Sequence, residues 1–305
     1  MIERPSAALG NVRDSEEVEA QVGDIVHRFA PGHDLVPVQQ TFTLLRQAFD
    51  GKLAGYAGLK TGYHNAMHTN EVVLCTSRML HGLHLAGHGL DAQHIDAALI
   101  GALLHDSGYL MSDAEASVSG TTGAQFTATH VNRGVEFARQ HLTGLSEGML
   151  SSIVKVIQVT DHRQHPDWVK FDNAQQQLAA YATATADLVG QMANREYLER
   201  LLFLYLEFKE AGLGGFSDTH ELLEKSGAFY RMTRDRLDRD LGGMTIQLAR
   251  HFAEITGEGR NFYMESIERN LAYLEQVVSE SRSQRLEMLK RGGVVEQLEQ
   301  AGGID

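Results

Sequence analysis

An unbroken run of small and branched apolar residues at positions 97–104, followed at once by His105 and Asp106, constrains the fold more than any other stretch. A run of this kind is typical of a helix that is buried on all sides. Its eight residues are too few to cross a bilayer. The sequence therefore predicts a buried helix that ends in two polar groups, each of which is costly to bury without a strong partner.

Two interpretations of His105 and Asp106 follow from this position. A divalent metal ion would satisfy both groups, because neutral imidazole and carboxylate suit zinc, iron and manganese, while carboxylate and water suit magnesium. Alternatively, the pair is solvated and caps the C-terminus of the helix. The remainder of the chain has to decide between them.

Apolar residues recur at helical spacing along most of the chain, and no stretch keeps an alternation of period two. Residues 150–160 are rich in β-branched side chains and could form a strand by composition, but the helical segments on both sides favour a helix. We therefore predict an all-α, multi-helix bundle. The predicted helices cover residues 22–29, 38–53, 71–85, 91–104, 130–142, 150–160, 178–192, 196–211, 219–241, 244–255 and 262–289.

Composition limits the classes of partner. A net charge of −13 argues against a nucleic-acid backbone or an anionic membrane, so an anionic substrate would need a local source of positive charge. The single cysteine, Cys75, excludes an intramolecular disulfide and fits a reducing cytoplasm. The first residues contain no apolar signal segment, and we expect a cytoplasmic protein.

Three more residues join the His-Asp pair. His64 and His68 are four residues apart, which on a helix places both rings on one face, as two ligands or as one ligand beside a proton donor. Asp187 lies in an apolar helical segment with no Lys or Arg within one turn, so it needs a cation if it faces the core. Two histidines and two aspartates make a nitrogen and oxygen site with room for water, which describes a hydrolytic centre better than a closed structural one.

The same residues resemble a known superfamily. His68, the His105–Asp106 pair and Asp187 stand in the ligand order of the HD-domain metal-dependent phosphohydrolases. The sequence is most similar to the class I cyclic nucleotide phosphodiesterases: residues 63–68 resemble their Tyr-His-Asn-x-x-His motif, residues 159–165 their Ala-Thr-Asp-x-x-x-His segment, and residues 184–188 the stretch with their last aspartate ligand. The resemblance spans residues 56–232 and implies an all-helical HD-domain bundle.

The resemblance also implies roles for individual residues. Four would bind the first of two divalent ions (zinc, magnesium, manganese or iron): His68, His105, Asp106 and Asp187. Asp106 would bridge to the second ion, and His64 would be the general acid that protonates the leaving oxygen. Two cations would clamp the phosphoryl oxygens and lower the pKa of a bridging water into the neutral range. Further candidates for the second ion or its water shell are His130, Thr160, Asp161 and His162.

The chain departs from the phosphodiesterase pattern at two places. Tyr109 stands where the family has a histidine, and Gly227 falls in the region where the family presents a glutamine that reads the purine edge. Phe229 could still stack on a base, or it belongs to the core. Alternatively, residues 130–134 together with His162 resemble the extra histidines of the HD-GYP branch, which hydrolyses cyclic dinucleotides, although the Gly-Tyr-Pro motif is missing.

We expect a metal-dependent phosphodiesterase that acts on a cyclic nucleotide or a similar phosphodiester, because a positioned acid at His64 matters most for a poor alkoxide leaving group. The alternatives are a nucleotide phosphomonoesterase of the same superfamily and a metal-binding regulatory module without turnover. The expected partner is a small-molecule phosphate ester of nucleotide type, and neither a nucleic acid nor a membrane.

The expected organisation has three segments, which could also form one domain. Residues 1–55 would be an N-terminal helical segment that packs on the core, residues 56–250 an HD-type catalytic domain, and residues 251–305 a C-terminal helical extension. The last helix could pack within the chain or on a second copy in a homodimer.

Overall fold

Helices account for the regular secondary structure of residues 8–300, the part of the chain that this computed structural model describes. The strand-like pairing in that range is a single isolated bridge between Tyr56 and Ser112. The predicted all-α fold class is therefore confirmed. The helices are α1 (Ser15–Phe29), α2 (Val36–Phe49), α3 (Ala66–Leu85), α4 (Ala92–Leu104), α5 (Asp113–Ala116), α6 (His130–His141), α7 (Glu147–Val159), α8 (Ala174–Ala193), α9 (Tyr197–Glu210), α10 (Thr219–Asp235), α11 (Ile246–Thr256), α12 (Phe262–Ser279), α13 (Arg282–Met288) and α14 (Val294–Gln300).

The apolar run lies at the centre of the fold. Every residue of α4 from position 94 to position 104 is buried, as the sequence predicts. Helices α3, α7 and α8 pack around α4, and α2 covers it from the N-terminal side. A Cβ atom on Gly101 would lie 2.3 Å from a methyl carbon of Val156, so glycine is needed where α7 approaches this closely. Burial of one face of α7 against α4 outweighs the strand preference of its β-branched residues.

Several helix bounds differ from the prediction. Helix α1 begins earlier than predicted because the Asp14 side chain caps it, accepting hydrogen bonds from the backbone N–H groups of Glu16 and Glu17. The helix predicted over residues 262–289 is two helices, since Glu280 has extended backbone angles and ends α12. Residues 107–128, which lie between two predicted helices, contain 3₁₀ turns at Ser107–Tyr109 and Ala124–Phe126 as well as α5.

Both terminal segments share one hydrophobic core with the central part of the chain. Val18 of α1, Phe42 of α2 and Leu274 of α12 belong to the same buried cluster as Leu99 of α4. Residues 1–7 of the predicted N-terminal segment and 301–305 of the predicted C-terminal extension lie outside the described residues. Across the helices that the structure describes, none combines the length and the apolar character that a membrane span requires.

Candidate metal centre

Side chains from α3, α4 and α8 meet at the C-terminal end of the central helix. Nε2 of His68 lies 3.2 Å from Nε2 of His105 and 3.2 Å from Oδ1 of Asp187. Oδ2 of Asp106 is 3.3 Å from the His68 nitrogen and 3.1 Å from that of His105. His68, His105 and Asp187 thus form a group that could hold a metal ion. The chain brings together the four residues predicted as ligands, although 119 positions separate the first from the last.

Capping geometry places the two histidines of the 63–68 motif. The Asn65 side chain is the N-cap of α3 and accepts hydrogen bonds from the backbone N–H groups of Met67 and His68. His68 is therefore in the first turn of α3, whereas His64 precedes the cap and is not helical. The prediction that both rings lie on one face of a helix is therefore wrong. The two rings are nevertheless close together, with centroids 5.9 Å apart.

The hydrogen bonds of His105 fix which ring nitrogen points into the group. Its Nδ1 donates to the carbonyl oxygen of Ala102 at 2.8 Å, and a carbonyl can only accept. In the neutral ring, Nε2 therefore carries a lone pair and faces the lone pairs of Asp106 and Asp187. Oδ2 of Asp106 is buried and has no hydrogen-bond partner among the described residues. Converging acceptors of this kind repel one another unless a cation or a proton lies between them.

Burial and charge act in opposite directions on these groups. Burial alone would raise the pKa of Asp106, but the nearby His105 and His64 side chains hold it well below its usual range. Burial likewise opposes the charged form of His68, yet the nearby carboxylates of Asp106, Asp187 and Glu71 raise the pKa of that imidazole well above its usual value. The group therefore favours positive charge next to two ionised carboxylates, and a metal ion would provide the same charge.

His130 approaches Asp106 from the opposite side. Its Nδ1 donates to the carbonyl oxygen of Thr127 at 2.7 Å, and its Nε2 is 3.7 Å from Oδ1 of Asp106. Burial lowers the pKa of His130, which favours the neutral ring. Gly108 makes this approach feasible, since a Cβ atom there would lie 1.9 Å from the carbonyl oxygen of His130. Each carboxylate oxygen of Asp106 thus faces imidazole nitrogen.

The predicted general acid has a carboxylate partner that sequence reasoning did not assign. Nδ1 of His64 donates to Oε2 of Glu207 at 2.5 Å, and Oε1 of Glu207 accepts from the backbone N–H of Tyr63. On its other side, the His64 ring stacks on Tyr109 with centroids 4.4 Å apart, and Tyr109 stacks in turn on His130 at 4.8 Å. Tyr109, which stands where the phosphodiesterase pattern has a histidine, therefore packs between two rings of the site.

Three predicted residues of the water shell have different environments. Thr160 and His162 line the cavity above the group. The Asp161 carboxylate is instead paired with Arg163, whose Nε lies 2.8 Å from Oδ1, and it does not line the cavity. The arginine two positions later thus neutralises this carboxylate, and a role for Asp161 at the second ion or in its water shell stays a prediction.

A buried ion pair, Glu71–Arg200, lies next to Nδ1 of His68. The sequence analysis did not predict this pair. Nδ1 of His68 lies 3.7 Å from Oε2 of Glu71, and Arg200 donates to both oxygens of Glu71 at 2.8 and 3.0 Å. Arg200 also donates to the carbonyl oxygen of Tyr63. The one sequence signal for it is that Glu71, three positions after His68, is the single acidic residue of α3.

A cavity of about 360 Å³ opens above the group. Its floor includes His68, Asp106 and Asp187, and its walls come mainly from α8, α9 and α10. Phe229, predicted either to stack on a base or to belong to the core, lines this cavity and is 40% exposed.

Comparison with known proteins gives a family. The model of the Npun_R2479-like family matches residues 47–276, which is more than half of the chain and includes every residue of the candidate centre. No curated protein matches the chain.

Proposed function

The chain belongs to the Npun_R2479-like family, and we propose that it is a metal-dependent phosphohydrolase that cleaves phosphodiesters. The proposal rests above all on one observation: acceptor atoms of His68, His105, Asp106 and Asp187 converge at 3.1 to 3.6 Å with the His105 tautomer fixed by Ala102. Such a donor set, open to a cavity, is typical of catalytic metal sites and not of closed structural ones.

We propose two divalent ions, with zinc, magnesium, manganese and iron as candidates. The four converging side chains would hold the first ion. Asp106 would be shared, since its second oxygen faces His130, which would contribute to the other ion. When bound, divalent cations offset the charge of phosphoryl oxygens and lower the pKa of coordinated water.

The chain's own side chains would move and hold the protons. Because Glu207 engages Nδ1 of His64, Nε2 is the ring nitrogen left to give a proton to the leaving oxygen, and it would do so from the doubly protonated imidazolium, which becomes the neutral ring with Nδ1–H still on Glu207. Tyr109 would donate a hydrogen bond to the phosphoryl group, because its buried hydroxyl has no hydrogen-bond partner within residues 8–300. Burial raises the pKa of Tyr109 well above its usual range, so the phenol keeps its proton at neutral pH.

A cyclic nucleotide is the first substrate to test, on the strength of the resemblance and of Phe229, whose ring at the cavity could stack on a base. We propose that the partner is a small-molecule phosphate ester. A cytoplasmic location would suit the one cysteine, a buried thiol.

Two assays test the proposal. The first compares bis-p-nitrophenyl phosphate with p-nitrophenyl phosphate in the presence of Mn²⁺. We expect faster cleavage of the diester, and preference for the monoester would replace the phosphodiesterase by a phosphomonoesterase.

The second assay uses His64→Ala. Loss of the acid should lower kcat by roughly 100- to 10,000-fold while the metal content stays the same. If neither protein cleaves any phosphate ester, although both bind metal, the chain is a metal-binding regulatory module and the proposal fails.

A further inference from the structure

One wall of the cavity is almost wholly apolar. We call this part the apolar chamber and define it by the side chains of α8, α9, α10 and the α9–α10 connection that line it: Leu188, Leu201, Leu204, Phe208, Phe216, Leu222, Phe229 and Met232. The chamber and the metal-ligand group belong to one continuous cavity of about 360 Å³. A cavity of this size falls within the range of about 300–1,000 Å³ that holds small organic ligands.

The polar groups that could read a nucleobase are already engaged. Gln191 is an amide of the kind that recognises a base edge, but its oxygen accepts a hydrogen bond from the Tyr63 hydroxyl and its nitrogen donates to the carbonyl of Asp187 at 3.0 Å. The Ser226 hydroxyl donates to the carbonyl of Leu222 at 2.8 Å. Each residue has therefore already committed part of its hydrogen-bonding capacity within the chain, and fewer donors and acceptors remain for a ligand.

The charged and hydroxyl groups nearby show the same pattern. Lys225 donates to the carbonyl of Gly215 at 2.7 Å and pairs with Glu221 at 2.7 Å, which neutralises its charge. The Thr160 hydroxyl donates to the carbonyl oxygen of Ile157. A purine placed in the chamber would find few uncommitted donors and acceptors on walls that are mostly apolar, and each group left buried and unpaired lowers affinity about tenfold or more.

We infer that the chamber holds an apolar ester group, so that an alkyl or aryl phosphoester is a better substrate than the cyclic nucleotide that the resemblance suggests. The inference rests on the proposed function in one respect, since it assumes that the phosphoryl end lies at His68, Asp106 and Asp187. It keeps the proposed phosphodiester chemistry but departs from the nucleotide substrate that the phosphodiesterase resemblance suggests.

Binding of non-hydrolysable ligands tests the inference without any need for turnover. Methyl-, butyl- and hexylphosphonate and adenosine 5′-monophosphate are titrated into the full chain with Mn²⁺ present and followed by calorimetry. We expect affinity to rise by up to about fourfold for each added methylene, because each buried CH₂ is removed from water. Equal affinity for the three phosphonates, no binding, or tighter binding of the nucleotide than of hexylphosphonate would overturn the inference.

Substitutions at exposed positions keep the test independent of folding. Ala228 is exposed and lines the cavity, so Ala228→Trp should fill the chamber and abolish the dependence on chain length, while methylphosphonate binds as before. Ile246→Gln is the matched control, because Ile246 is 52% exposed on α11 and does not line the cavity. An unchanged chain-length dependence in Ala228→Trp would place the alkyl group elsewhere and contradict the inference.

The two proposals fail in different ways. If alkylphosphonates show the expected dependence but no phosphoester is cleaved, the chamber is supported and the hydrolase is not. If bis-p-nitrophenyl phosphate is cleaved but the nucleotide binds better than hexylphosphonate, the hydrolase stands and the apolar substrate class is wrong.

Discussion

Glu207 accepts a hydrogen bond from Nδ1 of His64 at 2.5 Å across 143 positions of the chain. The carboxylate orients the ring, and in the proposed phosphohydrolase Nε2 would be the nitrogen that meets the substrate. We predict that Glu207→Gln lowers kcat by roughly 10- to 100-fold, which is typical for loss of an orienting partner of this kind. The metal content should not change, because Glu207 is not among the converging donor atoms.

The matched control for this variant is Glu210→Gln on the same helix. Glu210 binds the backbone and side chain of Thr122 and does not line the cavity. Steady-state kinetics with bis-p-nitrophenyl phosphate compares the two proteins. If Glu207→Gln and Glu210→Gln have the same kcat as the wild type, the hydrogen bond to His64 has no role in turnover.

Tyr109 offers a test that separates its hydroxyl from its ring. Tyr109→Phe keeps the stack between His64 and His130 and removes only the unpartnered hydroxyl, so we expect kcat to fall about tenfold. Tyr109→Leu also removes the stack and should lower kcat further. The measurement is kcat and KM for wild type and both variants. Wild-type kinetics in Tyr109→Phe would show that the phenol makes no contact with the substrate.

The Glu71–Arg200 pair should dominate the stability of the region behind His68. Arg200 is buried, and Arg200→Met would leave the Glu71 carboxylate without its partner, at a cost of about 3–5 kcal/mol in the free energy of unfolding. Arg13→Ala is the control, since the Arg13–Glu196 pair has a largely exposed arginine and should contribute less than about 1 kcal/mol. Urea denaturation measures the free energy of unfolding of both variants. Equal losses of this free energy would contradict the larger contribution of the buried pair.

A buried histidine pair away from the candidate centre predicts a pH dependence of stability. Nδ1 of His251 lies 2.9 Å from Nδ1 of His81, and burial, with Arg78 and His81 nearby, lowers the pKa of His251 to about 2. The native ring is therefore neutral and the unfolded ring takes up a proton below about pH 6.5. The stability that this gives is present above that pH and is lost as the pH falls, by up to about 1.4 kcal/mol per unit.

His251→Gln removes the titrating group and keeps a polar side chain. We expect its unfolding free energy to fall less steeply than that of the wild type between about pH 6 and 5. Urea denaturation in EDTA at several pH values measures both curves. Parallel curves would show that His251 is not held neutral in the native protein.

The sequence predicts those parts of the site that carry a local signal. His105 and Asp106 follow a buried apolar run, and Asp187 lies in an apolar helix without a cation nearby, so the cost of burial alone points to them. His68 is found through its motif. Capping rules also predict that α3 begins directly after Asn65, which places His64 outside the helix.

Glu207 and Arg200, the two partners that the sequence analysis did not predict, carry no local sequence signal. The partners Glu207 and Arg200 are brought to His64 and Glu71 by the packing of α9 on the rest of the bundle, which no pattern within a single helix specifies. Asp161 is another case, because its motif match does not indicate that Arg163, two positions on, binds its carboxylate. The apolar chamber likewise becomes visible only once α8, α9 and α10 are placed around one cavity.

The most direct test of the account is the metal content of the protein and of Asp187→Ala, both purified without chelator and measured by elemental analysis. Asp187 is partly exposed, so its removal should leave the fold intact, which circular dichroism checks. The account predicts close to stoichiometric or higher zinc, manganese, iron or magnesium in the wild type and a clear loss in the variant. A wild-type protein that binds no divalent ion, even after incubation with Mn²⁺, or a variant that retains the full content, would contradict it.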